Sequence, residues 1–215
     1  LGSAGPTLGK KAHPVILIFM LNFVILAISL VIAITIHEFA HAWSADRLGD
    51  PTPRLQGRLT LNPLAHLDPL GTLALLIIRF GWGKPVQFDP YNLANPKRDS
   101  ALISLAGPMS NLILAVLLSL ALNYLALPYL LIPLFYSLIS MNIVLAVFNL
   151  VPIYPLDGEK ILSGLLPTQL AHEYQTIMRQ YGTMILIFML LPIGGTSPIR
   201  ALISPVISFV TSLLL

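Results

Sequence analysis

The chain has 215 residues, 56% of them hydrophobic and only 10% charged, with a formal net charge of +3 and a mean hydropathy of +0.83. A soluble domain carries roughly 25% charged residues, so this composition excludes an ordinary water-soluble globule and points to an integral membrane protein. The absence of cysteine excludes disulfides and thiolate metal ligands, and no basic run interleaved with aromatics suggests a nucleic-acid partner.

Residues 1–13, which lack Met and are rich in Gly, Ser and Pro over 1–9, read as an N-terminal tail or expression remnant outside the fold. From Pro14 to Ile36 the chain is almost unbroken hydrocarbon, and the run to Ala45 exceeds the roughly 20 residues a spanning helix needs. Gly49, Asp50 and Pro51 supply its stop. The last part of this run, residues 34–43, is I-T-I-H-E-F-A-H-A-W. His37 and His41 are four apart and share one helical face. Two imidazoles so spaced can take two corners of a zinc tetrahedron, and Glu38 between them can act as a base toward a metal-activated water. Ionisable groups at the edge of a spanning helix are costly unless paired or coordinated, so these three call for a partner.

Residues 50–66 alternate Leu55, Leu59 and Leu61 with Gln56, Arg58 and Thr60, which predicts a short strand or hairpin turning at Gly57. Residues 69–80 would make a helix of about 18 Å, short of the roughly 30 Å hydrocarbon core, and are expected to be re-entrant or interfacial. A loop, G-W-G-K-P-V-Q-F-D-P (81–90), follows. Residues 100–127 predict a second span bearing A-G-P-M-S-N (106–111), and 128–151 a third bearing Asn142 and Asn149. The run N-L-V-P-I-Y-P-L-D-G (149–158) closes it. Residues 159–180 are polar enough for a short surface helix, and the apolar runs 181–193 and 198–215 suggest a closing pair. The expected fold is an α-helical polytopic membrane protein of about five to six membrane segments, organised as a single domain over 14–215 with a catalytic core at 14–165.

Lysine and arginine set the orientation. With the His37 end of the first span toward the cytoplasm, Arg47, Arg54, Arg58, Arg79, Lys84, Lys97, Arg98, Lys160 and Arg179 lie inside, and only Lys10, Lys11 and Arg200 outside. The third span then delivers Asp157 to the membrane level of His37 and His41. A catalytic zinc usually takes three protein ligands. Asp157, following a long apolar span, is the carboxylate best placed to be the third, its competing role being an N-cap for the helix that starts near Glu159.

H-E-F-A-H (37–41) together with N-L-V-P-I-Y-P-L-D-G (149–158) resembles the paired signature of the site-2 protease family, zinc metalloproteases that cut within the membrane. In that pattern Asn or Asp, two residues, Pro and three residues precede Leu-Asp-Gly, and every fixed position matches. The resemblance covers most of 14–165, includes A-G-P-M-S-N between the two elements, and fits the small branch without inserted PDZ or attached CBS domains. It implies Zn2+ held by His37, His41 and Asp157, with Glu38 as general base. Asn111 becomes a donor to the substrate or oxyanion, or else interhelical glue, and Gly107 permits close helix contact beside the metal. His66 takes a substrate-contacting or a structural role, and Asp68 and Lys84 stand likewise. The implied substrates are transmembrane proteins such as anti-sigma factors, signal-peptide remnants or membrane-tethered regulators, cleaved at the cytoplasmic side of the cell membrane. The segment 54–61 is expected to pair edge-to-edge with an unwound substrate. Two other readings stay open: a CAAX-type HExxH peptidase taking Glu159 or Glu173 as third ligand, and a metal or ion transporter using intramembrane His and Asp.

Overall fold

Between Val15 and Arg47 no glycine or proline interrupts the hydrocarbon. Where no water can satisfy backbone groups, a helix meets every one of them internally. In the computed structural model, which describes residues 12–71, 83–192 and 194–215, this run is α1 (Ala12–Arg47). Its 36 residues give a length of about 54 Å. The other described helices are α2 (Thr52–Leu55), α3 (Pro96–Tyr124), α4 (Ile132–Asn149), α5 (Asp157–Leu165), α6 (Thr168–Leu190) and α7 (Pro198–Leu214). The tail at 1–11 and the expected re-entrant segment, from residue 72 onward, lie outside the described residues.

α1, α3 and α4 pack on one another as the core of the molecule. His41 meets Ile103 while His37 meets Asn111, so α1 and α3 run antiparallel. Ala115 of α3 packs with Ile139, Ile143 and Val147 of α4, and α7 covers that seam with Ile203, Ile207 and Val210. α5 lies against α3, where a Cβ on Gly164 would come within 2.3 Å of Ala101 Cβ.

Among the described residues three helices are long and apolar enough to cross a membrane: Val15–Arg47, Pro96–Tyr124 and Tyr129–Asn149. Pro198–Leu214 is a shorter apolar helix, so these residues show three of the expected five to six segments by length and hydropathy. The apolar run that starts at 181 continues α6, whose first half carries the polar residues expected to form a surface helix. α6 folds back on the 150–156 loop, with Gly182 against Tyr154 and Leu186 in a cluster with Val151, Ile153 and Leu156. Ile199, at the start of α7, joins the same cluster, whereas the carbonyl of Leu214 at its far end accepts from Ser119 Oγ. α7 thus begins at the Asp157 end of the molecule. Arg200 sits at that end, opposite to the side expected.

The expected strand at 54–61 is also corrected. No strand or sheet occurs among the described residues, only an isolated bridge between Leu67 and Gly83. Prolines 51 and 53 favour a helix start, and Asp50 accepts from the Thr52 amide to open α2. Gly57, at φ +69°, ends the turn in the left-handed region. Leu55 and Leu61 point outward, so the alternation marks exposed side chains rather than one buried sheet face, and no strand is there to pair with a substrate. The buried carboxylate of Asp50 also accepts from Thr52 Oγ1, the Asp89 amide and Asn92 Nδ2 at 2.6–2.8 Å, fastening loop 83–95 over the end of α1. Burial alone raises this carboxyl, and the bonds from Thr52, Asn92 and the Asp89 amide more than offset it, leaving it below the ordinary carboxylate range.

Candidate metal centre

The i, i+4 spacing places His37 and His41 on the α1 face that packs against α3, and both are buried. His37 Nδ1 lies 2.7 Å from Asn111 Oδ1 and His41 Nδ1 lies 2.7 Å from the Ile103 carbonyl. Each partner is an acceptor, so each Nδ1 carries the proton and each Nε2 presents a lone pair. The two Nε2 atoms are 3.0 Å apart. Asp157 Oδ2 lies 3.0 Å from the first and 3.2 Å from the second. With neutral rings these are three acceptors facing one another, and a shared cation removes the conflict. Bonds of 2.0–2.1 Å at tetrahedral angles give an edge of about 3.3 Å, close to the observed triangle. The three residues are the group of His, Asp and Glu side chains among the described residues able to share one ion. The donor set fits zinc, two imidazole nitrogens and one carboxylate oxygen being the three protein ligands a catalytic zinc commonly takes.

Close packing makes the centre possible. A Cβ on Gly107 would sit 2.4 Å from His41 Nε2 and 2.7 Å from His37 Cε1, so only glycine lets α3 approach both rings. A Cβ on Gly158 would lie 2.4 Å from the carbonyl oxygens of Leu150 and Val151, so the residue after Asp157 holds the start of α5 against the end of α4. Asp157 is the first residue of α5, and its side chain does not cap the helix. Its carboxylate is turned to the imidazoles.

Asn111 is fully buried, and its hydrogen bonds are all spoken for. Asn142 Nδ2 donates to the Leu138 carbonyl, which leaves Asn142 Oδ1 as acceptor for Asn111 Nδ2 at 2.8 Å. The second Asn111 amide proton goes to the Ala33 carbonyl at 3.0 Å, and Oδ1 accepts from His37. Asn111 thus bonds to α1 and α4 and orients His37, with no free donor for an oxyanion in this arrangement. His66 is fully buried but stands apart from the cluster. Its Nε2 donates to the Thr60 carbonyl at 2.8 Å, and its Nδ1 has no hydrogen-bond partner among the described residues. Glu38, half-buried, accepts at Oε2 from the Val86 amide at 2.8 Å. Glu173 and His172 are exposed, and neither Glu159 nor Glu173 joins the metal group. Sequence reasoning missed the Ile103 carbonyl and the Val86 amide, because backbone groups leave no mark in residue identity. It noted Asn142, a polar residue within a span, without giving it a partner.

The model of Peptidase family M50 matches residues 126–193, which include Asp157. A Bacillus subtilis protein named "Putative zinc metalloprotease YwhC" is 38% identical over 180 residues, covering 79% of this chain and 82% of that protein. A Mycolicibacterium smegmatis protein named "Putative zinc metalloprotease Rip2" is 33% identical over 183 residues, covering 79% and 67%. "Zinc metalloprotease MJ0392" of Methanocaldococcus jannaschii is 26% identical over 168 residues, covering 78% and 42%. No solved structure matches the chain. With a relative this similar over four-fifths of its own length, and with two histidines and an aspartate arranged so that they could hold one ion, the chain belongs to peptidase family M50, the site-2 protease family of zinc metalloproteases.

Proposed function

We propose that the chain is an intramembrane endopeptidase that hydrolyses peptide bonds in or near the transmembrane segments of other membrane proteins, as a single membrane domain over 14–215. The observation that carries this reading is the convergence within 3.0–3.2 Å of Asp157, at the start of α5, on His37 and His41 of a helix apolar enough to cross a bilayer. His37 lies six residues, or about 9 Å, before Trp43, an exposed aromatic of the kind that marks a membrane interface. Exposed Tyr124 and Tyr129 suit the opposite interface. That geometry supports a centre below the lipid surface. With Arg200 at the site end as well, the distribution of lysine and arginine expected from the sequence favours a cytoplasmic site.

Zinc, when bound, makes a water acidic enough to lose its proton near neutral pH and polarises a carbonyl. The protein's own groups do the rest. His37 and His41 are held in the ligating tautomer by Asn111 and the Ile103 carbonyl. Glu38 takes a proton from the attacking water and returns it to the leaving nitrogen, so one carboxylate serves as base and then acid. Substrates of the membrane-tethered regulator, anti-sigma-factor or signal-peptide-remnant kind suit such a site.

The test is zinc analysis together with cleavage of a model transmembrane substrate. The parent should hold one zinc per chain and cleave. Glu38→Ala should keep zinc and lose turnover, and Asp157→Ala should lose both. Full cleavage by Glu38→Ala would overturn the proposal, as would zinc that survives Asp157→Ala.

A further inference from the structure

Glu38 is approached by a piece of chain that the metal ligands do not require. The stretch from Gly83 to Phe88 has no helix or strand of its own. It is fixed at its start by the bridge between Leu67 and Gly83 and by the Lys84 amide, which donates to the His66 carbonyl at 2.8 Å. His66 is itself anchored to the Thr60 carbonyl. Ile34 and Glu38 are four residues apart, on one face of α1. A Cβ added to Gly83 would lie 2.7 Å from Ile34 Cγ2 and 3.1 Å from the His66 carbonyl oxygen, so the segment lies directly on that face. Three residues on, the Val86 amide donates to Glu38 Oε2 at 2.8 Å. Val86 is 9% exposed, which shelters this bond from water.

We propose that the Gly83–Val86 segment is a positioning element for Glu38: the Val86 amide holds Oε2, fixes the carboxylate rotamer and leaves Oε1 to handle the proton. A free glutamate has three side-chain torsions, and restricting them before substrate arrives favours turnover over binding. A hydrogen bond to an ionised carboxylate is also among the stronger kinds. Gly83 is needed because any side chain there lifts the segment off α1. His66 acts through its backbone and its anchor, not by touching substrate or metal.

This inference rests on the protease reading, and its test is built so that the two fail separately. Val86→Pro removes the donor. Gly83→Ala pushes the segment away while keeping the Val86 N–H, and Val86→Ala shortens the side chain but keeps the donor in place. For cleavage of a model transmembrane substrate, Val86→Pro and Gly83→Ala should lower kcat by about 10- to 100-fold, with KM within about threefold and zinc content at the parental level. Val86→Ala should cost less than about threefold. Independently of activity, hydrogen exchange at the Val86 amide in the zinc-loaded protein should speed up by about tenfold or more in Glu38→Ala. Parental kcat in Val86→Pro or Gly83→Ala would overturn the proposal. So would a loss confined to KM, a loss of zinc, a Val86→Ala defect as large as that of Val86→Pro, or unchanged exchange in Glu38→Ala. If the parent cleaves nothing, the protease reading falls, and the exchange measurement still decides whether Val86 holds Glu38.

Discussion

Replacing Gly107 with alanine separates the metal centre from the stability of the helix that supports it. The added methyl would stand 2.4 Å from His41 Nε2, 2.5 Å from His41 Cε1 and 2.7 Å from His37 Cε1. Ordinary contact is about 3.5 Å or more, so the rings or α3 must retreat by roughly 1 Å. Without metal the imidazoles can turn aside, whereas with metal both Nε2 atoms must stay on target. Overpacking of this kind costs about 1–3 kcal/mol, or about 5- to 150-fold in zinc affinity. Alanine for glycine inside a helix contributes about 1 kcal/mol in the other direction, and that gain is present with or without zinc. Gly107→Ala should therefore bind zinc at least about fivefold more weakly in a chelator competition, while the metal-free protein melts no lower than the metal-free parent in a tryptophan-fluorescence scan. Parental zinc affinity would show that α3 does not press on the rings and would refute the reasoning.

Asn111→Ala leaves His37 Nδ1 and Asn142 Oδ1 without their partner, and zinc affinity should fall by about 10- to 100-fold in the same competition assay. Gly158→Ala forces a methyl against two backbone carbonyls, which cannot turn aside as a side chain can; it should lower both thermal stability and zinc occupancy, measured on one preparation. Asp50→Ala removes the acceptor that ties Thr52, Asp89 and Asn92 to the end of α1, and should destabilise the protein by about 2–4 kcal/mol. Because the folded Asp50 carboxyl lies below its ordinary range, its stabilisation is complete above the unfolded pKa of about 3.9 and fades as pH falls toward the folded value. Melting scans between pH 3 and 7 should show the gap between parent and Asp50→Ala narrowing only at the acid end.

His37 and His41 were legible because an i, i+4 pair must share a helical face whatever surrounds it, and Asp157 because a carboxylate closing a long apolar run needs a reason. The small residues at 106–111 announced close contact, and Gly107 supplies it. Asn111 was only half legible: a polar residue in a span needs partners, but which helix offers them depends on how α1, α3 and α4 come together. The Val86 amide had no signature, since every residue but proline offers the same donor. The one fold error has its cause in the environment. Alternating leucines mean a strand when one face is buried, yet Leu55 and Leu61 are exposed beside a proline-started turn. The apolar run from 181, expected as one half of a closing pair, is continuous with a polar half that packs on the 150–156 loop, and Leu186 of α6 and Ile199 of α7 share one cluster.

The most direct test is anomalous diffraction at the zinc edge on crystals of the zinc-loaded protein. One peak should appear about 2.0–2.2 Å from His37 Nε2, His41 Nε2 and a carboxylate oxygen of Asp157 together. A zinc gripped by the two imidazoles with Asp157 out of bonding reach, or held by Glu159 or Glu173 in its place, would contradict the central claim.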